Sequence, residues 1–155
     1  MKKLISECMV LVMAVSLFAC ADAEQAKTVN VEDIKKNDGI MLEIISTPRM
    51  PNGDEEITKS VLDITYSGEV YDPDSEDDYS IQLDDEDLLY IYEFCVDAYE
   101  NDTFDGYFED ACDGITYEFV FYDEDGKEHV IFEDGYCYNN KKINKIFNKL
   151  DKYAE

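Results

Sequence analysis

Acidic side chains at alternate positions are the most conspicuous chemical pattern in the sequence. The stretch YDPDSEDDY places Asp72, Asp74, Glu76 and Asp78 two residues apart. Carboxylate oxygens are the ligands that Ca²⁺ prefers, and these side chains converge on one ion if the loop curls. An EF-hand loop also needs a glycine at position 77 and a bidentate acid at position 83, and this chain has neither. We therefore interpret the segment as a solvated acidic turn and keep a Ca²⁺ site as the alternative.

Cysteines offer a second possible chemistry in the part of the chain that we expect to fold. A β-hairpin that pairs Tyr122 with Lys127 would place Cys112 opposite Cys137, and an exported domain can form a disulfide bridge between them. A β-bulge within the hairpin would shift this register and leave free thiols. The sequence is compatible with either the disulfide bridge or two free thiols. Cys95 lies on an apolar helix stripe, where we expect a buried thiol.

Groups suited to catalysis are scarce. His129 is the single histidine, and we expect its ring on a strand face beside Val120. The sequence contains no G-x-S-x-G, H-E-x-x-H, phosphate-loop or C-x-x-C motif. Carboxylate pairs such as Asp84 and Asp87 occur throughout so acidic a chain, and they carry little information. We predict a protein that is not an enzyme and keep a hydrolase that uses two carboxylates as an alternative.

The charge distribution restricts the class of partner. The 155-residue chain has a formal net charge of −25, and between Lys59 and Lys127 it has 23 acidic residues and no lysine or arginine. Nucleic acid and anionic bilayers would be repelled, whereas a cationic protein, peptide or metal ion would be attracted. The twelve tyrosines are side chains suited to protein contacts. The alternative is that the charge serves solubility and that a lysine-rich C-terminal helix offsets an acidic neighbour.

The elements that must position these side chains follow from hydrophobic periodicity. Apolar residues three and four apart predict one helix over Leu88–Tyr99, capped by Asp84 or Asp85, and a second that follows Asn139 or Asn140. Strands are predicted where apolar and polar side chains alternate, at residues 40–46, 62–66, 117–121 and 130–132.

These elements predict an α+β fold. A shift of 55 residues brings the strand and helix patterns of the two halves into coincidence. We therefore predict a tandem ββα arrangement, in which an antiparallel sheet of four to five strands carries two helices on one face. The other face would show polar side chains to water, namely those of Thr65, Ser67, Glu69, Thr116, Glu118, Tyr122 and His129.

The N-terminus has the pattern of an export signal. Two lysines precede an apolar run from Met9 to Ala19, which is too short to cross about 30 Å of hydrocarbon as a helix. The segment Leu17-Phe18-Ala19-Cys20 resembles the lipobox of bacterial prolipoproteins. The resemblance implies that the Cys20 thiol carries a diacylglycerol and that Cys20 becomes the first mature residue. The alternative is cleavage after Ala21-Asp22-Ala23, which would remove Cys20 and release a secreted protein.

The predicted organisation has three parts. Residues 1–19 are a signal peptide, residues 20–38 a lipidated N-terminus and tether, and residues 39–155 a single acidic α+β domain. We expect an extracytoplasmic, membrane-anchored lipoprotein that binds a cationic protein, peptide or metal ion without catalysis. A structural or assembly component of the cell envelope with no ligand is the alternative, and Ca²⁺ is the one cofactor considered.

Overall fold

The described part of the protein is a six-stranded antiparallel sheet with three helices. The structure is a computed structural model, and it describes residues 29–49, 58–76, 79–111 and 113–153. The predictions for the signal peptide and Cys20 lie outside these residues. The sheet order is β4-β3-β2-β1-β5-β6. The strands are β1 (Ile40–Arg49), β2 (Ser60–Thr65), β3 (Glu69–Tyr71), β4 (Ser80–Gln82), β5 (Gly114–Tyr122) and β6 (Glu128–Gly135). The helices are α1 (Val31–Ile34), α2 (Asp85–Glu100) and α3 (Lys141–Leu150), and α3 continues into a 3₁₀ turn (Asp151–Tyr153).

The α+β class is confirmed, but the predicted number of elements was wrong. Six strands and three helices replace the expected four to five strands and two helices. The strands β3 and β4 have three residues each and α1 has four. Elements of that length are too short to display a period of 2 or 3.6 residues. Ile34 of α1 is buried in the core, so the folded domain includes residues that the sequence analysis assigned to the tether.

Helices α2 and α3 begin at side-chain caps. Asp84 accepts a hydrogen bond from the backbone N–H of Asp87 at 2.8 Å. Asn140 accepts hydrogen bonds from the N–H groups of Lys142 and Ile143 at 3.0 and 3.1 Å. These bonds satisfy amide groups that have no partner inside the helix. Each cap is one of the two residues predicted for that helix.

One hydrophobic core joins all three helices to one side of the sheet. The strands contribute alternate residues, including Leu42, Ile44, Ile64 and Phe119. The helices contribute apolar side chains at intervals of three and four residues, including Leu88, Ile91 and Cys95 from α2 and Ile143 and Ile146 from α3. Within the described ranges, no helix has the length and apolar character needed to span a bilayer.

The β5–β6 hairpin adopts a shifted register, the alternative to the Tyr122–Lys127 pairing that would place Cys112 opposite Cys137. Tyr122 pairs with Glu128, one residue beyond the expected Lys127, and further register shifts follow between Phe119 and Val120 and between Tyr117 and Phe119. Asp123 and Lys127 close the turn in the observed register, because the Asp123 N–H donates to the Lys127 carbonyl at 3.0 Å and the Asp123 side chain accepts the Lys127 N–H at 2.9 Å.

These shifts change the surroundings of His129. Its ring was predicted on the solvent face of the sheet, but His129 pairs with Phe121 and lies 4.0 Å from the ring of Tyr99, measured between ring centroids. It therefore lies on the helix side. Thr116, also predicted at the solvent face, is buried.

Candidate functional site

Within the described part of the chain, the face of the sheet opposite the helices is covered by no helix. One row of cross-strand neighbours defines its centre: Tyr71, Asp63, Glu43, Val120 and Val130. We call this side of the sheet the open face. Its apolar side chains include Ile45 and Val61, which are half-buried and not members of the core cluster, whereas Val120 is only 3% exposed. Part of the Ile45 and Val61 side chains is therefore accessible to a partner.

Two carboxylates lie side by side in the middle of this row. Glu43 of β1 and Asp63 of β2 are direct cross-strand partners. Directly opposed residues of an antiparallel pair have Cβ atoms about 5 Å apart, and like charges there repel each other. Asp63 is only 3% exposed, and its Oδ1 atom is buried with no hydrogen-bond partner. A buried polar atom without a partner is rare in folded proteins and calls for an explanation.

Burial and neighbouring acids shift the titration of this pair. Burial raises the pKa of Asp63, Asp72 and Asp74 raise it further, and a hydrogen bond from the Tyr71 side chain opposes them. Burial likewise raises the pKa of Glu43, with the Asp63 carboxylate as the next cause. Burial is the main cause that raises the pKa of Tyr122, and the Glu43 carboxylate adds to it. The open face therefore holds closely spaced acidic groups whose negative charge is poorly compensated.

Lysines neutralise acids mainly within the helix layer. Lys142 of α3 donates to Asp97 of α2 at 2.7 Å. Lys149 and Lys152 both donate to Asp87, which is fully buried in the first turn of α2. This confirms that the basic C-terminal helix offsets an acidic neighbour. No lysine, arginine or histidine of the described residues forms an ion pair with the two carboxylates at the centre of the open face.

One arginine lies at the end of the open face, but it is already engaged. Arg49 ends β1, and its guanidinium forms an ion pair with Asp134 of β6 and donates to the Thr116 hydroxyl at 3.2 Å. Thr116 in turn donates to Asp134. This cluster fixes the end of the sheet and leaves the Glu43–Asp63 pair uncompensated.

A cavity of about 460 Å³ lies beside the edge strand β6. It is bounded by the loop that follows α2 and by β6, and none of its lining residues is lysine or arginine. Val130 lines this cavity and also ends the central row of the open face, so the two surfaces are continuous. The walls combine four aromatic rings and three carboxylates, those of Tyr99, Phe104, Tyr107, Phe132, Asp102, Asp105 and Glu133.

Comparisons with known proteins give no guide to function. No protein-family model matches the chain, and no characterised protein and no solved structure shows a significant match. The function is therefore inferred from this chain's own residues.

The predicted acidic loop is described only in part. Asp72, Asp74 and Glu76 are exposed, and Asp72 Oδ1 accepts the Asp74 N–H at 2.9 Å, which forms a local turn. Asp78 lies outside the described residues, so the four-residue Ca²⁺ site stays a prediction. Across the described residues, no group of three or more His, Cys, Asp or Glu side chains is placed to hold a metal ion.

The predicted disulfide also stays untested. Cys137 is a buried thiol whose pKa burial raises to about 12, and Cys112 lies outside the described residues. The register that motivated the pairing is not the one observed, because the hairpin shifts before it reaches these positions. Cys95 is a fully buried thiol, as expected from its place on the helix stripe.

Sequence reasoning overlooked the residues at the centre of the open face. Glu43 stands between Leu42 and Ile44, and Asp63 between Leu62 and Ile64, so each was visible as an acid on the polar side of a strand. Their meeting depends on the β1–β2 register, which the sequence does not show. A charged residue in the middle of a strongly apolar strand is the signal that could have identified them.

Proposed function

We propose that this protein is a lipid-anchored, extracytoplasmic domain that binds a basic protein or peptide through the open face and performs no catalysis. The observation that carries the proposal is the Glu43–Asp63 pair, in which two adjacent carboxylates, one of them buried with an unpartnered oxygen, stand on a face that no helix of the described residues covers. A cationic group from a partner would donate the hydrogen bond that the Asp63 oxygen lacks and would supply a positive charge to compensate the two carboxylates.

The surroundings of the pair favour a polypeptide over a metal ion. The half-buried Ile45 and Val61 and the exposed Val130 provide apolar contact area on the same face, and the half-buried Tyr71 and Tyr122 provide amphipathic rings. Apolar area and tyrosines around a small number of charged groups are typical of protein–protein contacts. Two neighbouring carboxylates supply fewer oxygen ligands than the six to eight that Ca²⁺ takes.

The lipid anchor is supported by the lipobox resemblance at Leu17–Cys20. Two acyl chains give stable membrane attachment, whereas one chain gives only marginal attachment. The net charge of −25 would keep the folded domain away from an anionic bilayer surface, so the open face would remain free to meet a partner.

Two alternatives make different demands on the same residues. A structural component of the envelope with no ligand has no use for a buried carboxylate at Asp63. The unpartnered oxygen would then lower the stability of the fold without serving a function. A hydrolase requires two carboxylates that face each other across a substrate cavity. The Glu43–Asp63 pair lies on a sheet face, and neither residue lines the cavity beside β6.

The experiment is a calorimetric titration of the full chain, held in nonionic detergent, with a synthetic peptide of alternating arginine and serine. We expect binding that weakens steeply as ionic strength rises, because exposed charges are screened by salt. A peptide in which citrulline replaces each arginine is the matched control, since citrulline keeps the shape and removes the charge. Equal binding of the two peptides, or no binding of the arginine peptide at low salt, would exclude the proposed function.

A further inference from the structure

The centre of the open face holds two cross-strand carboxylates, one of which has a buried oxygen without a hydrogen-bond partner. We propose that the Glu43–Asp63 pair is an anchor site for a single arginine side chain of the partner, whose guanidinium bridges the two carboxylates and donates to Asp63 Oδ1. This inference rests on the proposed function and adds the chemical identity of the contact.

One oxygen of the Asp63 carboxylate lacks a partner. Asp63 is 3% exposed, and its Oδ1 atom has no hydrogen-bond donor in the free protein. Leaving a buried acceptor unpaired costs stability, and more so when the group is charged. Residues kept at such a cost are characteristic of functional sites, because proteins give up stability where binding requires a prearranged group.

The two carboxylates suit the shape of a guanidinium group better than that of an ammonium group. Glu43 and Asp63 project from neighbouring strands, so their carboxylates present acceptors side by side. A guanidinium has five N–H donors in a rigid planar fork and can engage two carboxylates at once. A lysine ammonium is a compact and strongly hydrated charge, which makes its transfer into a half-buried site less favourable.

Two tyrosine rings lie near the carboxylate pair. Tyr71 is the cross-strand neighbour of Asp63, and Tyr122 is close enough for the charges of Glu43 and Asp63 to affect its titration. Both tyrosines are half-buried. Arginine stacks on aromatic faces as well as donating hydrogen bonds, so rings at either side of a carboxylate pair favour it further over lysine.

Access to Oδ1 requires the half-buried side chain of Glu43 or Tyr71 to change its rotamer. Such side-chain changes at interfaces are common when the backbone itself moves little. Both residues lie in regular strands, so the backbone that carries the two carboxylates is already in place.

The test uses nuclear magnetic resonance of the full chain in nonionic detergent, with the side-chain carboxyl carbons labelled. The probes are three otherwise identical short peptides that contain one arginine, one lysine or one citrulline. We expect the arginine peptide to shift the carboxyl signals of Glu43 and Asp63 and to bind at least about tenfold more tightly than the citrulline peptide. Equal affinity for the arginine and lysine peptides would overturn the guanidinium assignment.

Matched variants separate this inference from the proposed function. Asp63→Asn should weaken binding of the arginine peptide by about tenfold or more. Glu86→Gln removes one exposed charge from the first turn of α2 and should change it far less. A second outcome is that the alternating arginine–serine peptide still binds in a salt-dependent manner while Asp63→Asn and Glu86→Gln lower its affinity equally. That result would overturn the anchor site and leave the proposed function standing. Absence of any binding by that peptide would overturn both the anchor site and the proposed function.

Discussion

Replacing Asp63 by asparagine should make the protein more stable, which is the opposite of what most substitutions at buried positions do. The variant keeps the shape of the side chain and removes its charge. Its amide group can also donate a hydrogen bond towards the carboxylate of Glu43, the cross-strand neighbour. The repulsion across the β1–β2 pair then becomes an attraction.

The magnitude follows from the state of the Asp63 carboxylate. It is 3% exposed, and one of its oxygens has no partner, so the free protein carries the cost of an unsatisfied buried group. That cost is about 1–3 kcal/mol. We therefore expect Asp63→Asn to raise the free energy of unfolding by about 1–3 kcal/mol at neutral pH, which corresponds to a rise of roughly 1 M in the urea midpoint.

The pH dependence gives this prediction a second signature. The folded protein holds the Asp63 proton more tightly than the unfolded chain, because the folded pKa is raised above the ordinary value of 3.8. The wild type therefore loses stability as the pH rises from about 4 through the folded pKa, and the asparagine variant does not titrate at this position. The advantage of the variant should be close to zero below the ordinary carboxyl pKa and should reach its full size above the folded one.

The assay is urea unfolding of wild type and variant across this pH range. Glu118→Gln is the control, since it removes one charge from a half-buried position of the same face and should change stability by no more than about 0.5 kcal/mol. A loss of stability of more than about 1 kcal/mol for Asp63→Asn would show that the carboxylate makes a stabilising contact in the free protein. That result would refute the reasoning about the open face.

Three further predictions concern the helix layer and the anchor. Asp87→Ala should destabilise the domain by about 3–5 kcal/mol, because it leaves the buried Lys149 without its partner. Lys152→Ala should destabilise it by less than about 1 kcal/mol, since that lysine is half exposed. Equal losses of stability for the two variants in urea unfolding would contradict this ranking. Phe147→Ala should lower the free energy of unfolding by about 3 kcal/mol, because the ring packs on the sheet at a centroid distance of 4.9 Å from the ring of Tyr117. A change near zero would show that α3 does not pack on the sheet through this ring. Labelled fatty acid should enter the wild-type precursor and not Cys20→Ala, and incorporation into both would exclude lipidation at this cysteine.

The long elements were predictable because their periodicity is strong. Alternation at residues 62–66 and 117–121 corresponds to β2 and β5, and the apolar stripe of Leu88–Tyr99 lies within α2. The caps were predictable because Asp84 and Asn140 are residue types that accept helix N–H bonds just before an apolar stripe. The short strands and α1 were not, since three or four residues hold too few side chains to show a period.

The candidate site was less predictable because it depends on register. Two acids that are 20 residues apart in the chain become neighbours only when β1 and β2 pair with Glu43 opposite Asp63. A shift of one strand by one residue would turn one of these acids into the core. The alternation of apolar residues therefore excludes some registers, but it does not select the one that is observed. Asp87 shows the same limit, since its burial depends on two lysines more than 60 residues away. Lys149, on the apolar side of α3, was the one signal of that contact in the sequence.

The most direct measurement of the central claim is an amide chemical-shift map of the full chain in nonionic detergent during titration with the alternating arginine–serine peptide. We predict that the perturbed amides cluster on β1, β2 and β5 around Glu43, Asp63 and Val120, and that the changes disappear at high ionic strength. Changes confined to α2 and α3, or a citrulline peptide that perturbs the same amides to the same extent, would contradict the claim that the open face binds a basic partner.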